Sequence, residues 1–244
     1  MNLMAALRRV RGKLRLRQRF RDPLTVKHDA ELHWWLEKWD PVLRTGGFNP
    51  GDALTFLDGE EAEPTYLGRR WQQARAEVRR VLREAAIDDE RFFEGRVVLD
   101  IGPGPLGFPD ACPGRISIGV DPLAERFAQR GLLLPDSSAL YLSAGAENIP
   151  LLSGSIDVVI ARNSLDHVDD PEKVLGEAQR LLRPSGTLIL NFDVDHTPTP
   201  TEPHAFTVER IRAGLLGMTI VHEDRWDQPH GPDGHAVVLV ARKP

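Results

Sequence analysis

The chain has 244 residues, 41% hydrophobic and 27% charged, with a formal net charge of −5. That balance excludes the disordered and fibrous classes, and the length allows a sizeable buried core. A single cysteine, Cys112, excludes an internal disulfide framework and a cysteine-rich zinc site. Apolar runs such as 131–135 and 156–161 are too short to span a bilayer, and no apolar signal-peptide core follows the basic start. A cytoplasmic setting is the expectation.

The first segment, residues 1–26, is a basic arm. Eight of the 31 basic residues (Arg8, Arg9, Arg11, Lys13, Arg15, Arg17, Arg19 and Arg21) fall in residues 1–21 with no acid among them. Leu3, Leu7, Val10 and Leu14 repeat with a helical period. Such an arm can lie on an anionic membrane surface, or pack on the acidic remainder of its own chain.

Residues 27–90 read as a helical extension. Leu32, Trp35, Leu36 and Trp39 share one face of a helix over 27–39, which Asp40-Pro41 is expected to end. A second helix, 65–86, carries Leu67, Trp71, Ala74, Val78 and Leu82 on one face. Its arginine-rich other face, with Glu77 among the arginines, reads as solvated and salt-bridged. The tryptophans read as packing residues.

From residue 91 onward strands and helices alternate. Strands are expected at 97–100, 115–120, 140–142, 156–161 and 187–192, with two more at 218–223 and 235–242. A helix over 171–183 begins on Pro171 behind an aspartate cap, Asp169 or Asp170. The pattern predicts an α/β fold: a Rossmann-like, doubly wound, seven-stranded sheet, mostly parallel with an antiparallel last strand, preceded by N-terminal helices.

Two features carry chemistry at the first strands. Asp100-Ile101-Gly102-Pro103-Gly104-Pro105-Leu106-Gly107 is a glycine-rich turn directly after a buried strand, where a ligand can approach the backbone. Asp121 ends the second strand, where a carboxylate can accept both hydroxyls of a ribose. Together they point to an adenosine-containing ligand. Two more stretches extend the pattern: 146–150 after the third strand, and 155–188 running through Leu165-Asp166-His167-Val168 and Pro171-Glu172-Lys173-Val174-Leu175.

In these four ordered motifs, residues 91–244 resemble the class I S-adenosylmethionine-dependent methyltransferases, in the branch that methylates small molecules and quinones. The resemblance implies S-adenosylmethionine as cofactor. Gly102 and Gly104 would line its methionine part with Asp100 beneath, Asp121 would hold the ribose, Ala146 and Glu147 would lie beside the adenine, and Asn163 would face the sulfonium. The loop departs from the family where Leu106 stands in place of a glycine, and Gly145 stands where an acid is common.

A methyl acceptor that is a hydroxyl needs a base for its proton. His167, Asp166 and His196 are the candidate catalytic residues, with Glu202 and His204 nearby in sequence. His196, Glu202 and His204 match no standard metal spacing, so the site is expected to hold no metal. The predicted function is methyl transfer to oxygen or nitrogen of a small molecule or glycan precursor, with no specific nucleic-acid partner. The competing readings are an inactive methyltransferase-like scaffold and a nicotinamide-dependent oxidoreductase.

Overall fold

A computed structural model describes residues 23–45, 61–199, 201–227 and 234–244. The expected helical stripe of the basic arm falls on residues 3–14, outside the described residues.

Helix α1 (Pro23–Trp34) runs into one π-helical turn (Trp35–Trp39) and then into α2 (Asp40–Thr45). Asp40-Pro41 was expected to end the helix and does not. Pro41 lies in the first turn of α2, directly after the π-helical turn, in which Asp40 N–H bonds Trp35 O. Next comes α3 (Tyr66–Glu84), capped by the Thr65 side chain on Gly68 N–H.

The α/β part follows as β1 (Val97–Ile101), α4 (Phe108–Ala111), β2 (Ile116–Val120), α5 (Ala124–Gln129), β3 (Leu140–Leu142) and β4 (Ile156–Arg162). A short 3-10 turn (Leu165–His167) leads to α6 (Pro171–Leu181), β5 (Leu182–Val194), α7 (Val208–Gly214), β6 (Thr219–Trp226) and β7 (His235–Arg242). Of the two aspartates proposed as cap of α6, Asp170 fills the role, accepting from Lys173 N–H.

The seven strands form one sheet in the order β3-β2-β1-β4-β5-β7-β6. Its first five strands are parallel, and β7 runs antiparallel to both β5 and β6. The predicted architecture is the observed one. Reversal of strand order at β1 and β4 places a crevice at their carboxyl ends, where open α/β sheets bind ligands.

Alternation along each strand builds two cores. Leu99, Val159, Leu190 and Phe192 pack on α6 side chains such as Leu175 and Leu181. On the opposite face Val98, Val158, Ile160 and Ile189 pack with Val81 and Leu82 of α3 and with Phe93 and Phe108. A third cluster places Leu32, Trp35 and Leu36 of the N-terminal helices on Leu123, Phe127 and Leu132.

The buried surface of α3 is wider than the expected face. Ala74 and Leu82 are buried and Val78 packs on the core as expected, Leu67 is exposed, and Arg70, Gln73 and Glu77 are buried as well. The cause lies on the sheet: Arg162, at the end of β4, donates to the Glu77 carboxylate at 2.6 Å, with Glu84 3.7 Å away. A buried guanidinium requires buried carboxylates, so the polar stripe turns inward.

Candidate functional site

The glycine turn and Asp121 form one unit. Gly102 and Gly104 have φ of +68° and +52°, values that a side chain resists. Space excludes side chains as well. A Cβ on Gly102 would come within 2.6 Å of Ser164 Cβ, and one on Gly104 within 2.8 Å of the Trp35 ring. The Asp121 carboxylate accepts from Gly104 N–H at 3.1 Å and from Leu123 N–H at 2.7 Å. Each of its oxygens keeps a lone pair for a further donor.

Burial raises both aspartates of this unit. Asp121 is pushed up to about 7, with the two backbone donors pulling the other way. Asp100, on the α3 face of β1, is pushed up to about 8 by burial, opposed by Arg162.

The turn is braced from behind. Arg70 of α3, 2% exposed, donates to Pro105 O at 3.2 Å and also to Leu132 O. Gly107 takes φ +88° and packs so closely on Ala74 that a Cβ there would come within 2.8 Å of it. Leu106 packs with Trp39. The departure at Leu106 is thus accommodated by the N-terminal helices.

Of the residues implied beside the adenine, Ala146 is buried in the core. Glu147 Oε1 accepts from Asp169 N–H at 2.9 Å and Asp170 N–H at 3.3 Å. Its other oxygen lies 3.1 Å from where a Gly145 Cβ would stand. Asn163, with φ +44°, continues from β4 and donates its N–H to Asn191 O at 2.8 Å.

The turn after β4 faces the loop after β5. Ser164 Oγ donates to Ile101 O at 2.9 Å, tying this turn to the end of β1. Lys27 of α1 donates to His167 O, and His204 Nε2 lies 2.9 Å from Val168 O. His167 Nε2 is 3.9 Å from Asp166 Oδ1 and 3.8 Å from Glu202 Oε1, while its Nδ1 is buried with no hydrogen-bond partner.

His167, Asp166 and Glu202 are therefore brought together. His196 is not among them: it is 7% exposed, its Nδ1 is 3.4 Å from Thr197 O, and its Cβ lies against Gly234. His204 is turned to Val168 and stacks on Phe206. His196, Glu202 and His204, which match no standard metal spacing, do not converge; among the described residues the His/Cys/Asp/Glu group with ligand atoms mutually within 4.8 Å is Asp166, His167 and Glu202.

Sequence reasoning missed Trp35, Ser164, Arg70 and Lys27 as site residues. Trp35 was visible only as part of an apolar stripe, and Arg70 only as one of a row of arginines. Nothing in their spacing places them at the glycine turn.

Residues 99–190 match the family described as a methyltransferase domain. A 107-residue stretch is 34% identical to an uncharacterized methyltransferase of Mycobacteroides abscessus, over 42% of this chain and 41% of that protein. The chain thus spans about two-fifths of the length of the curated relatives it matches first.

Two solved structures share the fold. A methyltransferase candidate from Bacillus halodurans superposes with a TM-score of 0.54 at 15% identity, covering 69% of this chain and 99% of its own. The 1,6-didemethyltoxoflavin-N1-methyltransferase of Burkholderia thailandensis, solved with 1,6-didemethyltoxoflavin and S-adenosylhomocysteine, gives 0.51 at 21% identity, covering 69% and 79%. Among the described residues no helix is long and apolar enough to cross a membrane.

Proposed function

We propose that the protein is an S-adenosylmethionine-dependent methyltransferase that acts on oxygen or nitrogen of a small molecule or glycan precursor. The observation that carries the reading is the Asp121 carboxylate. It is held by two backbone N–H groups between the glycine turn and α5, with lone pairs left for ribose hydroxyls. Gly102 and Gly104 would receive the methionine part of the cofactor. Glu147 would stand beside the adenine, its carboxylate reaching the place where Gly145 lacks one.

When bound, that cofactor supplies a methyl group on a sulfonium, an electrophile needing little activation. The chain's task is then alignment, which can supply much of the barrier reduction. Asn163 and Ser164 shape the floor between β1 and β4. His167, Asp166 and Glu202 stand beside it as the groups that handle the acceptor's proton or charge. Trp35 and Lys27 close the opening from the N-terminal side.

Calorimetry with S-adenosylhomocysteine tests the reading. Binding of one equivalent is expected, together with loss of affinity in Asp121→Ala. Absence of binding by the intact chain, or binding of NADH in its place, would overturn it.

A further inference from the structure

We propose that Asp166, His167 and Glu202 form a binding site for a divalent cation of the magnesium and manganese class, to which an acceptor hydroxyl coordinates. Three observations carry it. The first is spacing: one ligand atom from each residue lies within 4.8 Å of the other two. His167 Nε2 is 3.9 Å from Asp166 Oδ1 and 3.8 Å from Glu202 Oε1. These distances are too long for hydrogen bonds, so a proton on Nε2 would serve neither carboxylate. They suit atoms arranged about a cation with bonds of about 2.1 to 2.5 Å.

The second is the Asp166 carboxylate itself. Its side chain is 7% exposed and stands beside His167 Nε2 at that non-bonding distance. A carboxylate so little exposed is costly to keep ionised, and a cation relieves the cost. The third is how the ligands are carried. Asp166 and His167 sit on one 3-10 turn, whose backbone is pinned by Lys27, by Ser164 on Ile101 O and by His204 on Val168 O. Glu202 comes from the loop after β5, fixed by its N–H on Thr199 Oγ1 at 3.0 Å and by Thr199 N–H on its carbonyl at 2.9 Å.

Two carboxylate oxygens favour a hard cation, manganese accepting the imidazole nitrogen more readily than magnesium, and three protein ligands leave positions for water and an acceptor. A cation lowers the pKa of a hydroxyl bound to it. The hydroxyl proton leaves to solvent, the oxygen bonds the methyl carbon, and the carbon–sulfur bond breaks, leaving S-adenosylhomocysteine. This role rests on the methyl-transfer reading; the cation binding does not.

The test is a titration of the full chain with Mn²⁺, following the electron paramagnetic resonance signal of the free ion. One site per chain is expected, displaced by excess Mg²⁺. Glu202→Gln and Asp166→Asn should each weaken it by at least about tenfold, with S-adenosylhomocysteine affinity unchanged. Glu202 lies on an outer loop, so its variant stays informative should the buried Asp166→Asn fail to fold. No Mn²⁺ binding up to millimolar concentration, or undiminished binding in Glu202→Gln, overturns the proposal. Mn²⁺ binding without S-adenosylhomocysteine binding would leave the cation site standing and remove the methyl-transfer reading.

Discussion

The crevice has two halves built by different means. The half at β1 and β2 is made largely of backbone. The N–H groups of Gly104 and Leu123 hold Asp121, and Gly102 N–H bonds Val120 O, all within residues 102–123. The half at β4 and β5 is made of side chains from far-apart segments: Lys27, Ser164, His167, Glu202 and His204. In the first half the Asp121 carboxylate is satisfied by neighbouring backbone, although Asp110 Oδ1 and Ser117 Oγ of the same stretch are buried without partners, as His167 Nδ1 and His196 Nε2 are in the second. A backbone-built half can receive one fixed ligand, whereas a side-chain-built half can be retuned by single substitutions.

The largest expected effect lies where α3 is held on the end of β4. Glu77, 1% exposed, accepts from Arg162 and from Gln73. Glu77→Ala leaves a buried guanidinium with Glu84 alone at 3.7 Å, and the expected loss is about 3–5 kcal/mol, read from chemical denaturation. The double variant Glu77→Leu with Arg162→Met should recover most of it, because a packed apolar pair removes the stranded charge. A loss below about 1 kcal/mol in the single variant would show that this pair does not hold α3 on the sheet.

Asp100 stands beside that pair, and its effect depends on pH. Its folded-state pKa, about 8, is raised from an ordinary value of 3.8. Between these values the folded chain holds a proton that the unfolded chain has released, so stability falls as pH rises from about 4 to about 8. Asp121, raised to about 7, adds to the slope in the same direction. Asp100→Asn cannot ionise. It should change stability little at pH 4 and raise it by on the order of 1–3 kcal/mol at pH 9, once relaxation has offset part of the shift. Parallel thermal-stability curves for the two proteins across that window would rule out a buried protonated Asp100.

The same contrast governs what the sequence could reveal. The strands were legible because each is a short apolar run bounded by turn residues, and Asp121 because a fixed distance separates it from Gly102 across one strand–helix–strand unit. The inward turn of Arg70 and Glu77 was not legible. In sequence they belong to a charged helix face; the burial of Glu77 is decided by Arg162, 85 residues beyond it, and that of Arg70 by the Pro105 and Leu132 carbonyls. Trp35 stood out only as a packing residue, since its approach to Gly104 depends on how the N-terminal helices pack on Leu123, Phe127 and Leu132. The meeting of Glu202 with His167 depends on a proline-containing loop whose path no periodicity reports.

Within the backbone half, Asp121→Ala removes the acceptor for two backbone N–H groups and for any ribose hydroxyl. S-adenosylhomocysteine affinity should fall by roughly 10- to 100-fold, or about 1–3 kcal/mol. Asp121→Asn keeps one acceptor oxygen and should lose less. Equal affinity in all three proteins, measured by calorimetry on folded samples, would detach Asp121 from the cofactor.

The smallest effect separates the halves most cleanly. His204 Nε2 bonds Val168 O at 2.9 Å, and its ring stacks on Phe206 with centroids 6.3 Å apart. His204→Phe keeps an aromatic ring for the stacking and deletes the hydrogen bond, so the expected cost is about 0.5–1.5 kcal/mol. The loss should be local. Amide exchange in residues 165–170 should quicken, because the 3-10 turn is then pinned by Lys27 and Ser164 alone. Amides of Gly102 and Gly104, held by Val120 O and Asp121, should keep their protection, and S-adenosylhomocysteine affinity should stay within about twofold. Faster exchange spreading to Gly102 and Gly104 would mean that the two halves move as one, joined through the Ser164 contact with Ile101.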